Sequence, residues 1–173
     1  MSRLAASEQQ KGQDRVIRVL PRVLSEHPDT VYLIVGEGDD RARLESLIIQ
    51  FGVEENVQFV GMANPEELPD YFRLADVYVM PSTQEGFGIA FLEAIASGIH
   101  VIGGNADGSL DPLGDGLLGT AIDPANCNEL ASAICASIHA APAIEDRSTR
   151  FKVQPYREHL EALVRWTAEY QRR

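Results

Sequence analysis

"VYLIVGEGDDRARLESLIIQFGVEENVQFVG", residues 31–61, reads as a strand, a helix and a second strand. An apolar run over residues 31–36 ends on glycine, residues 39–52 then repeat apolar positions three and four apart, and residues 57–61 form another glycine-ended apolar run. Continuous apolar strands flanking an amphipathic helix mark a buried parallel sheet, since parallel neighbours need a crossover and the crossover helix covers a sheet face. The stretch therefore assigns the chain to the α/β class.

The same alternation continues in both directions. "DVYVM" (76–80), "HVIGG" (100–104) and "GTAID" (119–123) are predicted strands, and "GQDRVIRVLPRVLSEH" (12–27), "PEELPDYFRLA" (65–75), "GIAFLEAIASG" (88–98) and "NELASAICASIHA" (128–140) predicted helices. Each helix has one apolar face for the sheet, and right-handed crossovers follow. Pro21 lies inside the first helix, where it removes a backbone donor and is expected to bend it. Asp39 and Asp40 stand at a helix start and are expected to cap its free amides, a metal-binding acid pair being the weaker reading. "PYREHLEALVRWTAEYQRR" (155–173) predicts a terminal helix with Leu160, Leu163, Val164, Thr167 and Tyr170 on one face and Trp166 off it, open to a second contact.

At 173 residues, 45% hydrophobic and 24% charged, the chain suits one ordinary domain, with residues 1–143 as its body and 144–173 as a helical extension. The net charge of −11 argues against nucleic acid or an anionic lipid surface as partner. Residues 1–22 nevertheless carry five Lys/Arg against two acids, whereas residues 23–143 carry three against nineteen. A bound anion must find its cations near the ends. No run reaches the roughly 20 apolar residues of a membrane span and no secretory signal opens the chain, so a cytoplasmic location is expected. Cys127 and Cys135 share one amphipathic stretch and are expected to be reduced helix residues.

In an open parallel sheet, ligands bind beyond the carboxyl ends of the strands. "GEGDD" (36–40) is not the dinucleotide fingerprint, because Arg41 stands where its third glycine belongs, and no GxxxxGK[ST] loop is present. "SRLAASEQQKG" (2–12) puts Arg3 and Lys11 on one loop, a pair able to hold a diphosphate without a metal; taken alone, solvated surface charge is the favoured reading. In "PSTQEGFGIAFLEAIASG" (81–98), Pro81 ends a strand, Glu85 sits on the turn, and Gly86 and Gly88 free the backbone at a helix N-terminus. Such an N-terminus favours an anion. The Glu85 and Glu93 carboxylates can accept hydrogen bonds from neutral hydroxyls. Burying Glu93 among Phe91, Leu92, Ala94 and Ile95 costs several kcal/mol unless it is paired, which favours a functional reason. A sugar nucleotide presents hexose hydroxyls, a diphosphate and ribose hydroxyls in the order these groups require. Asn105 and Asp107, in "GGNADGSLDPLGDG" (103–116), fit a plain turn and stay outside the site.

With "SRL" and "KG" near the start, "LIVGEG", "VQFVGM", "LADVYVMPSTQEGFG", "LEAIASG" and "DPLGDGLLGTAIDP", the chain from Arg3 to about Ile138 resembles the C-terminal, donor-binding domain of retaining GT-B glycosyltransferases, specifically glycosyltransferase family 4. The Glu85 and Glu93 spacing is the most specific part. The resemblance implies a Rossmann-like parallel sheet with helices on both faces, one half of a GT-B fold. It implies that Arg3 and Lys11 neutralise the departing diphosphate, that Glu93 binds the ribose hydroxyls and that Glu85 contacts hydroxyls of the transferred sugar. The backbone of Gly86, Phe87, Gly88 and Ile89 would lie beside sugar and diphosphate, and Met62 would meet the base through its backbone. Arg3, Lys11 and Glu85 are thus the catalytic candidates; no metal, cofactor or protein nucleophile is implied, and the nucleotide-diphosphate sugar is a substrate.

The family also has an apolar strand just before the "SRL" segment, and only Met1 and Ser2 precede Arg3. In the strand order 3-2-1-4-5-6 that first strand is central, so its absence is expected to leave two unpaired edges, one on "VYLIVG" and one on "DVYVM". The acceptor-binding N-terminal domain is likewise a missing partner, so the polypeptide alone is expected to bind donor weakly and to transfer nothing. The resemblance implies synthesis of a cell-surface polysaccharide or glycolipid, by an enzyme cytoplasmic or peripheral at the inner membrane. A sugar-nucleotide epimerase or phosphorylase of GT-B fold, and a non-catalytic nucleotide-sugar-binding subunit, remain alternatives.

Overall fold

Among the described residues, five parallel strands form two sheets rather than one. The computed structural model describes residues 6–86, 88–106, 108–114 and 118–140. A 3₁₀ turn, Ala6–Lys11, leads into α1 (Gln13–Glu26), followed by β1 (Tyr32–Val35), α2 (Arg41–Phe51), a 3₁₀ turn (Glu54–Asn56) and β2 (Val57–Gly61). The second half comprises α3 (Leu68–Leu74), β3 (Val77–Met80), α4 (Ile89–Ala96), β4 (His100–Gly104), α5 (Leu110–Leu113), β5 (Thr120–Ile122) and α6 (Cys127–Ala140). Every predicted strand and helix within the described residues is present. The predicted terminal helix, Trp166 and the extension 144–173 lie outside them.

β1 pairs in parallel with β2, Tyr32 opposite Val57. β3, β4 and β5 form the other parallel sheet, with Val77 opposite His100 and Ile102 opposite Thr120. Side-chain alternation along the strands separates two apolar layers. Val77, Val79 and Ile102 join the layer built from α1, α2 and α6, whereas Tyr78, Met80 and Val101 join Phe72, Phe91 and Leu113 of α3, α4 and α5. Helices thus cover both sheet faces.

The first layer holds the halves together. Ile17, Leu20 and Val23 of α1 and Leu130 and Ile134 of α6 belong to one buried cluster with Ile34 and Val57 of the two-stranded sheet and Ile102 and Ile122 of the other. Each such side chain gains about 1.5–3 kcal/mol on burial, which explains why α1 runs unbroken through the exposed Pro21 despite a proline cost of roughly 3 kcal/mol. Among the described residues, β1 neighbours only β2, and β3 only β4. The two edges expected to lack partners therefore face a common gap, a cavity of about 390 Å³ lined along the length of both strands.

Asp40 departs from its expected role. It precedes α2 but caps no amide, because its own backbone is already helical (φ −78°, ψ −7°) rather than extended as a capping residue requires. Its buried carboxylate accepts hydrogen bonds from Arg43 Nε and Nη2, both at 2.7 Å, and from Gln9 Nε2 at 2.9 Å. Both cysteines lie in α6 with free thiols, as expected.

Candidate functional site

The segment following β3 is held from two sides. On one side, Thr83 N–H donates to the Gln10 carbonyl at 2.9 Å and Arg15 Nη1 donates to the Pro81 carbonyl at 2.9 Å. Gly12 makes this approach possible: it sits at φ 81°, and a Cβ there would strike the Pro81 carbonyl. On the other side, Gly108 N–H donates to the Glu85 carbonyl at 3.0 Å, again with no room for a Cβ, and the buried hydroxyls of Ser82 and Ser109 lie 3.1 Å apart. The turn bearing Lys11 and the loop bearing Glu85 are therefore neighbours at the carboxyl ends of β3 and β4.

Glu85 is half-buried and accepts from Gly86 N–H at 3.2 Å. Gly88, in the left-handed region at φ 74°, turns the chain into α4. The first amides of any helix lack intrahelical partners and carry the positive end of its dipole. Glu93, in the second turn of α4, is also half-buried. The phenol of Tyr78 on β3 is pushed above its ordinary range by burial first and then by the charges of Glu85 and Glu93.

Lys11 ends the first 3₁₀ turn and borders the gap between β1 and β3. Ile89 and Met62 are large apolar side chains left 68% and 61% exposed, the first opening α4 and the second following β2. Of the sequence candidates, Lys11, Glu85, Gly86, Gly88, Ile89 and Glu93 thus cluster around one loop and one helix start, and Met62 stands at the carboxyl end of β2. Arg3 and Phe87 lie outside the described residues.

Sequence reasoning missed the groups that brace the site. Arg15, four residues beyond Lys11, is the hydrogen-bonding link to Pro81. Arg43 joins Asp40 at 2.7 Å and Asp14 at 3.6 Å, while Gln9 reaches Asp40 from the turn that carries Lys11. The guanidinium hydrogen bonds hold the Asp40 carboxyl below its ordinary range. The sole signal for these contacts is a charged residue at helical spacing from Asp40; the partner 31 residues away leaves none.

Among the described residues, no helix is long and apolar enough to cross a membrane. Residues 4–152 match the model of glycosyl transferases group 1. A GDP-mannose-dependent alpha-(1-6)-phosphatidylinositol monomannoside mannosyltransferase of Mycolicibacterium smegmatis is 37% identical over 131 residues, covering 72% of this chain and 34% of that protein. HepE of Anabaena, solved in complex with UDP and glucose, superposes with a TM-score of 0.66 at 26% identity, over 89% of this chain and 45% of its own. The C-terminal domain of a glycosyl transferase group 1 family protein, LpcC of Francisella tularensis, superposes with a TM-score of 0.67 at 27% identity, over 89% of this chain and 80% of its own. The chain spans about a third of the length of the curated relatives it matches. It has the fold of the Rossmann-like half that forms the C-terminal domain of a GT-B glycosyltransferase, and it belongs to the family of glycosyl transferases group 1.

Proposed function

We propose that this chain is the donor-binding half of a retaining glycosyltransferase of family 4 and that the cleft at the carboxyl ends of its strands takes a nucleotide-diphosphate sugar. The observation that carries this reading is the hydrogen-bonded approach of the turn that ends at Lys11 to the segment after β3 that bears Glu85 and leads into α4. A diphosphate between Lys11 and the first amides of α4 faces a cation and a positive dipole end together. Arg3 supplies a second cation. Glu85 accepts from hydroxyls of the sugar, Glu93 from those of the ribose, and the backbone beside Met62 meets the base.

The departing diphosphate gains negative charge as the glycosidic bond breaks, so cations fixed in advance stabilise the transition state more than the ground state. With that diphosphate assisting acceptor attack on the same face, configuration is retained and no protein nucleophile is needed. The acceptor site belongs to polypeptide outside this chain, whose residues 1–143 form the donor domain and 144–173 its helical extension. Donors of this class agree with the relatives, one named for GDP-mannose and one crystallised with UDP and glucose. A cytoplasmic enzyme, peripheral at the inner membrane and building a polysaccharide or glycolipid, fits the same reading.

The test is a calorimetric titration of the 173-residue chain with UDP-glucose and with GDP-mannose to millimolar concentration. Weak, saturable binding of one donor is expected, lowered about 10- to 150-fold by Glu93→Ala, the equivalent of about 1.5–3 kcal/mol for a charged hydrogen bond. Absence of binding by both donors, or affinity unchanged in both Glu93→Ala and Lys11→Ala, overturns the assignment.

A further inference from the structure

The end of α1 lies against α6, and the contact there is chemically unlike the apolar layer around it. His27 leaves the helix at φ −133° and ψ 77°, with Pro28 next in the chain, so its side chain does not keep the helical angle to Glu26 and both reach Cys135 of α6. A carboxylate oxygen of Glu26, a ring nitrogen of His27 and Cys135 Sγ all lie within 4.8 Å of one another. The thiol is buried, the imidazole half-buried and the carboxylate exposed, so the cluster runs from the contact between the helices out to solvent. Packing does not require this set, since the neighbouring buried positions Leu130, Ala131 and Ile134 of α6 are apolar.

We infer that Glu26, His27 and Cys135 form a site for one divalent cation of borderline softness, zinc above all, that clips the end of α1 to α6. The donors decide the class of ion. A thiolate and an imidazole disfavour magnesium and calcium, which take oxygen ligands, and three protein donors leave the fourth tetrahedral corner to water. Zinc at its ordinary bond lengths sets its ligand atoms about 3.3–3.6 Å apart, so the three contract slightly onto the ion, a motion the exposed Glu26 side chain and the His27 ring allow. On binding, Cys135 releases its thiol proton to solvent, His27 donates the lone pair of a neutral ring nitrogen, and the thiolate and carboxylate together balance the charge of the ion. The position of the cluster adds to this, because the last turn of α1 carries no basic residue and a helix carboxyl end favours a cation. Arg22, one turn earlier, has its guanidinium held by Asn128 Oδ1 at 2.8 Å and Ser132 Oγ at 3.1 Å. The site is separate from the donor cleft, lying at the opposite end of α1 from Gly12, about 20 Å along the helix axis.

The test is a titration of the full chain, reduced and freed of metal with a chelator, using cobalt(II) as a spectroscopic stand-in for zinc. One equivalent should bring a sulfur-to-cobalt charge-transfer band and the intense visible bands of tetrahedral coordination, both bleached by zinc, retained in Cys127→Ser and lost in Cys135→Ser. His27→Gln and Glu26→Gln change side chains outside the apolar core, so they test the site with the fold intact. Each should weaken zinc at least about tenfold, since the hydrogen-bonding partners of metal ligands are already worth about 10- to 100-fold. Zinc at about 100 times its dissociation constant should raise Tm by about 5–10 °C, and the same concentration should leave Cys135→Ser unmoved. A band that depends on Cys127 rather than Cys135, zinc affinity unchanged in both His27→Gln and Glu26→Gln, or no one-to-one binding with the metal in excess overturns the inference.

Discussion

At the scale of single residues, the most informative side chain is Asp40. A carboxyl held below its ordinary range in the folded state adds stability above the unfolded value near 3.9, and that contribution disappears as pH falls through the folded value. Asp40→Asn should therefore lower the free energy of unfolding by about 2 kcal/mol at pH 7, the scale of charge-assisted hydrogen bonds to a guanidinium that is itself 35% exposed. Urea titrations of both proteins from pH 7 to pH 3 should show the difference shrink below about pH 4. A gap unchanged at pH 3 would remove the ion pair as its cause. Cys127 and Cys135 offer a second comparison. Burial, with Glu26 nearby, pushes the Cys135 thiol up, while Cys127 is exposed. Maleimide at pH 7 should label Cys127 in the native protein and spare Cys135 until denaturant is added, as mass spectrometry of peptides would show. These residues also mark where reading a sequence stops. Glu93 stands out in the sequence because its apolar neighbours make an acid conspicuous, and Arg43 stands at helical spacing from Asp40, whereas the hydrogen bond from Gln9 to Asp40 has no periodic signature.

At the scale of elements, strands were the most legible parts, since short apolar runs bounded by glycine or proline admit few other readings. α1 was harder: Pro21 argues against continuity locally, and five buried apolar residues decide the matter through contacts that lie elsewhere in the chain. The junction between the first 3₁₀ turn and α1 was invisible, because the need for glycine at position 12 comes from the Pro81 carbonyl, 69 positions downstream. Gly12→Ala should cost at least the roughly 1–2 kcal/mol of a left-handed alanine, and more as the loop after β3 is displaced. Thermal unfolding measures the first effect. Exchange of the Thr83 amide, bonded to Gln10 in the native protein, measures the second and should quicken by more than that of β4 amides. Equal changes in both would mean global loosening without a local shift.

For the molecule as a whole, the division into two sheets does not imply two folding units. The α1 and α6 layer spans both, so truncation at its centre should loosen both together. Ile17 is fully buried, and Ile17→Ala should cost about 2–5 kcal/mol. Hydrogen exchange should show the loss in β2 and in β4 alike, and a loss confined to one sheet would make the halves independent. The order of the strands among the described residues, β2-β1 on one side of the gap and β3-β4-β5 on the other, was legible from family likeness alone, since nothing local in β1 or β3 announces it. The stitching of Gln10 and Arg15 to Thr83 and Pro81 bears on how the protein responds to strain. Strain applied to the turn ahead of α1 passes through these bonds into the segment after β3, so a flexible insertion beside Gln10 should speed exchange of the Thr83 amide although the two lie far apart in sequence.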